Sequence, residues 1–295
     1  MSIRNNNDRI NARDLNQDAP VAQMNTEAES PPSNPPAAPM TFSAPTEIVD
    51  LPSGGKFYFE GHPLHGVTSV EIKFMTAKEE DILTSKTLMK KNLTIDRLLR
   101  SIILDRSINP DDLLVGDKNA IIVASRITGY GSDYDTSVAC PSCAATNQCS
   151  IDLEAALENE TGNKNYDDED VEATEYGSFV VTTPRTKAKV EIRLLNGHDE
   201  KRLNKLEQQR IKNKLPESLA TTTMSSFIVS VNGNSDPMYI GSFIENAPAA
   251  DARYVREAYR TIAPNINMGF DFHCQSCGHE QVLEVPLNAE FFWPK

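Results

Sequence analysis

Two short stretches carry the residues best suited to chemistry, Cys140-Pro-Ser-Cys143 and Cys274-Gln-Ser-Cys277. A C-x-x-C turn holds two thiolates close together, with backbone N–H groups aimed at the sulfurs, and so supplies half of a tetrahedral zinc site. Two half-sites make one whole site, with no position left open for a substrate, so the zinc is expected to be structural. Each turn has a β-prone approach, Thr136-Ser-Val-Ala and Gly269-Phe-Asp-Phe-His273. Each also has an alternating exit, Cys149-Ser-Ile-Asp-Leu153 and Val282-Leu-Glu-Val-Pro-Leu287. Strand, knuckle, strand is the plan of a zinc ribbon, divided here between two distant parts of the chain. Cys149 is close enough to substitute as a ligand, but its strand-like setting reads as a small buried hydrophobe. His273 and His279 flank the second knuckle and could orient or replace a ligand; they read as solvated loop histidines. The competing chemistry is two disulfides or a redox pair. Met1-Ser-Ile-Arg-Asn-Asn-Asn-Asp has no apolar core of a secretory signal. A reducing compartment is therefore expected, and it favours metal over disulfide.

Composition narrows the function. At 295 residues with a formal net charge of −13, the chain can bury one or two small cores but lacks the basic excess that binds nucleic acid. No run of apolar residues is long enough to span a membrane. Its partners are expected to be proteins. No pairing of its five histidines with a nucleophile suggests catalysis, and no glycine-rich loop opens a helix as phosphate binding would require. A non-enzyme is expected.

The elements that must position the knuckles follow from periodicity and caps. Residues 1–46, with Pro31-Pro-Ser-Asn-Pro-Pro-Ala-Ala-Pro39, hold too few large apolar residues to offset ordering and are expected to be a disordered tail. Order should begin near Ile48, with a turn or hairpin through Phe59, then a strand over Val67 to Phe74. Thr76-Ala-Lys-Glu79 has the spacing of a capping box and predicts a helix to about Leu88. Thr94 with Asp96 opens another helix, and Lys118 to Thr128 a third, stopped by Gly129-Tyr-Gly131. The acidic, turn-rich residues 154–176 read as a solvated connector. Beyond it, Phe179 to Leu194 reads as a hairpin around Pro184-Arg-Thr-Lys, and Asn196 caps a long helix to Lys214. Pro216-Glu-Ser starts a further helix through Val231, and Ala249 to Ile262 forms the last one.

The two halves resemble each other. Val70-Glu-Ile-Lys-Phe-Met-Thr-Ala-Lys-Glu and Val190-Glu-Ile-Arg-Leu-Leu-Asn-Gly-His-Asp align at an offset of 120 residues. Near the knuckles the offset becomes 134, pairing Asp117 with Asp251, Arg126 with Arg260 and Cys143 with Cys277. The expected fold is α+β, with two tandem repeats of strand, helices, strand and knuckle at 47–153 and 177–295. A shared four-cysteine zinc ribbon joins them, and zinc binding acts as folding free energy that fixes their orientation.

Several stretches in order, Leu51-Pro-Ser-Gly-Gly-Lys-Phe-Tyr58, Met75-Thr-Ala-Lys-Glu-Glu-Asp-Ile-Leu-Thr-Ser85, Leu114-Val-Gly-Asp-Lys-Asn-Ala120, Ser125-Arg-Ile-Thr-Gly-Tyr-Gly131, the first knuckle and Phe291-Phe-Trp-Pro294, resemble the baseplate hub assembly proteins of T-even-type contractile-tailed phages. The resemblance spans about residues 48–295. It implies a non-enzymatic tail protein in the virion baseplate, present in the host cytoplasm during assembly, that builds or assists the central hub. Other baseplate or tail hub proteins would be its partners, and a homo-oligomer within a symmetric hub is compatible with it. The alternatives are a tail assembly chaperone absent from the virion, a zinc-ribbon adaptor for a polymerase, and a hub-associated cell-wall hydrolase. If exposed, Phe291, Phe292 and Trp293 would anchor a neighbouring subunit; otherwise they fold back to close the second repeat.

Overall fold

A computed structural model describes residues 43–158, 160–161, 171–174, 177–214, 219–287 and 289–293. The proline-rich tail up to residue 42, most of the acidic stretch at 162–170 and the Pro216-Glu-Ser start lie outside the described residues. The chain begins with β1 (Thr46–Asp50), which pairs antiparallel with β2 (Ser69–Lys73). The partner of β1 is thus β2, and residues 51–66 between them form consecutive turns rather than a local hairpin strand.

Helix α1 (Ala77–Thr84) starts where Glu79 takes both the Thr76 N–H, at 3.0 Å, and its hydroxyl. The helix expected to reach Leu88 breaks at Ser85, which is extended, and α2 (Lys86–Lys90) follows. Helix α3 (Thr94–Ile102) buries Leu98, Leu99 and Ile102 on one face. Helix α4 (Val115–Tyr130) is buried almost throughout and runs through Gly129 to stop at Gly131, whose positive φ of 87° suits glycine. It leads into the hairpin β3 (Asp133–Ala139) and β4 (Thr146–Asp152), whose tip is the first knuckle.

The acidic connector is not merely solvated. Its described residues include most of α5 (Leu153–Glu158), which buries Leu153 and Ala156, and β5 (Glu160–Thr161). They also include β6 (Val171–Ala173), an outer strand of a four-stranded antiparallel sheet. That sheet continues through β7 (Ser178–Thr182), β8 (Lys189–Arg193) and β9 (Ile228–Val231). Between β8 and β9 run α6 (Gly197–Lys212), capped by Asn196, and α7 (Leu219–Phe227). The helix expected to reach Val231 therefore ends at Phe227, where the β-branched run Ile228-Val-Ser-Val231 pairs with β8 instead. Helix α8 (Pro237–Asn246), set by the Asp236 cap, is not apparent from the periodicity reading. Then come α9 (Ala249–Ile262), β10 (Asn265–Ile266) paired with β5, and the second knuckle's hairpin, β11 (Gly269–His273) and β12 (Glu280–Glu284). A 3-10 turn at Ala289–Phe292 ends the described chain.

Local contacts recur between the halves. Lys73 pairs with Glu79 at 2.7 Å, and Arg193 pairs with Asp199 at 2.6 Å. Asp117, in the first turn of α4, accepts hydrogen bonds from Ser53 and Tyr58 in the loop after β1. Asp251, in the first turn of α9, accepts them from Arg185 and Thr186 in the loop after β7. Apolar residues of both halves form one continuous core. The halves also exchange backbone hydrogen bonds, Val115 N–H to Leu195 and Gly197 N–H to Leu113. Lys118 and Lys201, in different halves, share Asp96, and Lys118 also pairs with Glu200. The described residues from 43 to 293 form one compact unit.

Candidate metal centre

Each knuckle is shaped by the same backbone bonds. Cys140 N–H donates to the Ala145 carbonyl and Ala144 N–H to that of Cys140; Cys274 N–H donates to His279 and Gly278 N–H to Cys274. The turn closes through a left-handed residue, Ala144 at φ 59° and Gly278 at φ 71°. Alanine there is strained and glycine is not.

The two hairpins bring all four sulfurs within 4.8 Å of one another. Cys140 Sγ lies 3.7 Å from Cys277 Sγ, and Cys143 Sγ 3.7 Å from Cys274 Sγ. Zn–S bonds of about 2.3 Å in tetrahedral geometry place sulfurs about 3.8 Å apart, so these residues fit such an ion. The four cysteines could hold a metal ion, and among the described residues no other group of three or more candidate ligands does so. Cys140 and Cys274 are buried while Cys143 and Cys277 face solvent. A small apolar cluster backs the site: Phe272 is buried with the two inner cysteines, and Val138, Phe270 and Leu283 pack against it.

One residue at the site carries no sequence signal. Asn147 on β4 is buried, donates from Nδ2 to the Ala145 carbonyl and towards Cys274 Sγ at 3.6 Å, and accepts the Gln275 N–H at 2.9 Å. It reaches from the first hairpin into the second knuckle. The residue 134 positions further on is Gln281, which is exposed, so that alignment gives no hint of it.

Electrostatics match a cation site. Burial by itself would raise the Cys274 thiol, but N–H donors from Cys277, Ser276 and Asn147 outweigh it and bring it down to about 6. Cys277 moves the other way: the His279 N–H favours its thiolate, yet the sulfurs of Cys143, Cys274 and Cys140 crowd it and hold it up to about 12. Four thiols this close cannot all ionise without a positive charge among them.

The flanking candidates stand apart. Cys149 lies on β4 opposite Thr136, half-buried against the apolar cluster, and burial raises its thiol. His273 contacts Glu280 at 3.1 Å and His279 contacts Gln281 at 3.3 Å; neither joins the sulfurs. The exposure that an anchor at Phe291, Phe292 and Trp293 requires is not present. Phe291 and Phe292 are 1% and 0% exposed, and Trp293 is half-buried against the core. They fold back, but onto the first half: the Phe291 ring lies 5.1 Å from that of Tyr134 on β3. Three large apolar groups at a chain end gain more from burial in an available core than from water.

Fold and site together define a mixed α+β protein with a four-thiol cluster able to hold a metal. The chain belongs to the T4 bacteriophage base plate protein family, which matches residues 44–293 and so nearly the whole described body. It is a T4-type phage baseplate protein, located in the virion tail baseplate, with a role in tail structure or assembly beside other phage proteins. Neither the curated proteins nor the solved structures supply a match. Among the described residues no helix is long and apolar enough to cross a membrane.

Proposed function

We propose that this chain is a non-enzymatic tail protein that builds or assists assembly of the central baseplate hub through protein contacts, with one structural zinc held by Cys140, Cys143, Cys274 and Cys277. The family match across residues 44–293 carries the reading. In this reading the body is a duplicated module, residues 47–153 and 177–295 joined by 154–176, whose knuckles each give half of a zinc ribbon. The equivalent pairs Lys73–Glu79 and Arg193–Asp199, and the equivalent carboxylates Asp117 and Asp251, support it. So does the all-sulfur donor set, which closes the metal to substrate.

Infection with phage lacking this chain tests the function. The expected result is tails arrested without a central hub, restored by supplying the protein; complete baseplates in its absence would overturn the reading. Elemental analysis of the purified protein should give one zinc per chain, lost on Cys274→Ser.

A further inference from the structure

Among the described residues, strand β1 has one edge with no strand paired to it. Phe74 N–H donates to the Pro45 carbonyl and Leu51 N–H to that of Thr68, so in this antiparallel register the odd-numbered positions bond β2. The N–H and C=O groups of Thr46, Ile48 and Asp50 therefore point away from β2. The far side of β2 is covered, since Leu104 N–H donates to Glu71 and Ile103 bridges Ile72. No described strand covers β1, and Ile48 is 69% exposed. An open edge of this kind is a template for another extended segment.

Beside the edge runs a groove of about 690 Å³ between β1, α4 and α5. Ala124, Ile127, Leu157 and Ile266 give it an apolar lining. Glu47, Asp50, Glu154 and Glu158 also line it, all are exposed, and no basic residue does. None of these four carboxylates is in an ion pair among the described residues.

We propose that this groove takes an extended segment of a partner protein in which aliphatic residues alternate with lysine or arginine, added to β1 as a further strand. Backbone bonds to Thr46, Ile48 and Asp50 supply affinity, the apolar lining takes the aliphatic side chains, and the carboxylates select the basic ones. The inference rests on the reading that the chain works through protein contacts, but its test reports on the groove alone.

The test uses full-length protein with a labelled Lys-Val-Lys-Val-Lys-Val peptide and its Glu-Val counterpart, followed by fluorescence anisotropy and by amide hydrogen exchange at residues 46–50. The Lys-Val peptide should bind and protect β1, and the Glu-Val peptide should not. Ile48→Pro removes an outward N–H without touching the β2 ladder, and Glu154→Lys with Glu158→Lys reverses the rim. Each should weaken Lys-Val binding roughly tenfold or more, with metal content and circular dichroism unchanged. Equal binding of both peptides, protection only outside β1, or full binding by both variants would overturn the proposal. A dimer of the free protein with β1 already protected would assign the edge to a second copy and overturn it equally. If the groove fails while the chain is still needed for hub formation, only this inference falls.

Discussion

The residue that most changes the picture of the site is Asn147, because it reaches from the first hairpin to the second knuckle. Its amide donates towards Cys274 and its carbonyl takes the Gln275 N–H. Partners outside the ligand set typically alter metal affinity by about 10–100-fold, so Asn147→Ala should weaken zinc binding by at least about tenfold in a competition titration with a chromophoric chelator. Unchanged affinity would remove Asn147 from the site. Glu79 makes a different prediction. Burial would raise its carboxyl, but hydrogen bonds from Lys73, Ser101 and Thr76 outweigh it and lower it from 4.5 to about 2. A carboxylate depressed on folding adds stability that is full above pH 4.5 and lost as pH falls towards 2. Urea unfolding should therefore show Glu79→Gln less stable at pH 7, with a shallower loss through that acid range than the parent. Equal acid slopes would count against it.

At the scale of elements, two helices hold two hairpin loops by the same device with different chemistry. Burial would raise the Asp251 carboxyl, but it receives the Thr186 hydroxyl and the backbone N–H groups of Arg185 and Thr186, donors that cannot reverse, and these lower it. Asp117 takes one backbone N–H, but otherwise faces the hydroxyls of Ser53 and Tyr58, which can rotate, and burial raises it. An asparagine amide can meet the hydroxyls but must orphan an N–H at the second site. Asp251→Asn should thus cost about 1–3 kcal/mol in denaturant unfolding at pH 7, and Asp117→Asn less. The reverse order would refute the assignment. The repeated caps were legible from S/T-x-x-E-type spacing. The switch from α7 to β9 was not, because pairing with β8 outweighs local helix preference there.

Across the whole molecule, the four-thiol cluster and a common core both span the two halves. The sequence suggests that zinc fixes their orientation. The structure adds a common core, a lysine-centred charge network and Phe291 and Phe292 of the chain end packed into the same core. Removing the metal with a chelator at neutral pH should therefore leave helical circular dichroism and exchange protection in α4 intact, while the hairpins β3–β4 and β11–β12 lose protection. Global unfolding on chelation would show that the core does not suffice. Phe292→Ala should cost about 3–5 kcal/mol of stability, as deletion of a buried aromatic does.

The sequence by itself determined the four candidate ligands, most helices and the likeness to phage baseplate proteins, since residue type, spacing and period are local properties that survive without coordinates. Tertiary structure alone decided that Asn147 reaches across to Cys274, that Phe291 and Phe292 are interior, and that no described strand covers the outer edge of β1 beside an acidic groove. Those facts depend on which surfaces meet, and contacts between residues more than a hundred positions apart leave no periodic trace in a single chain.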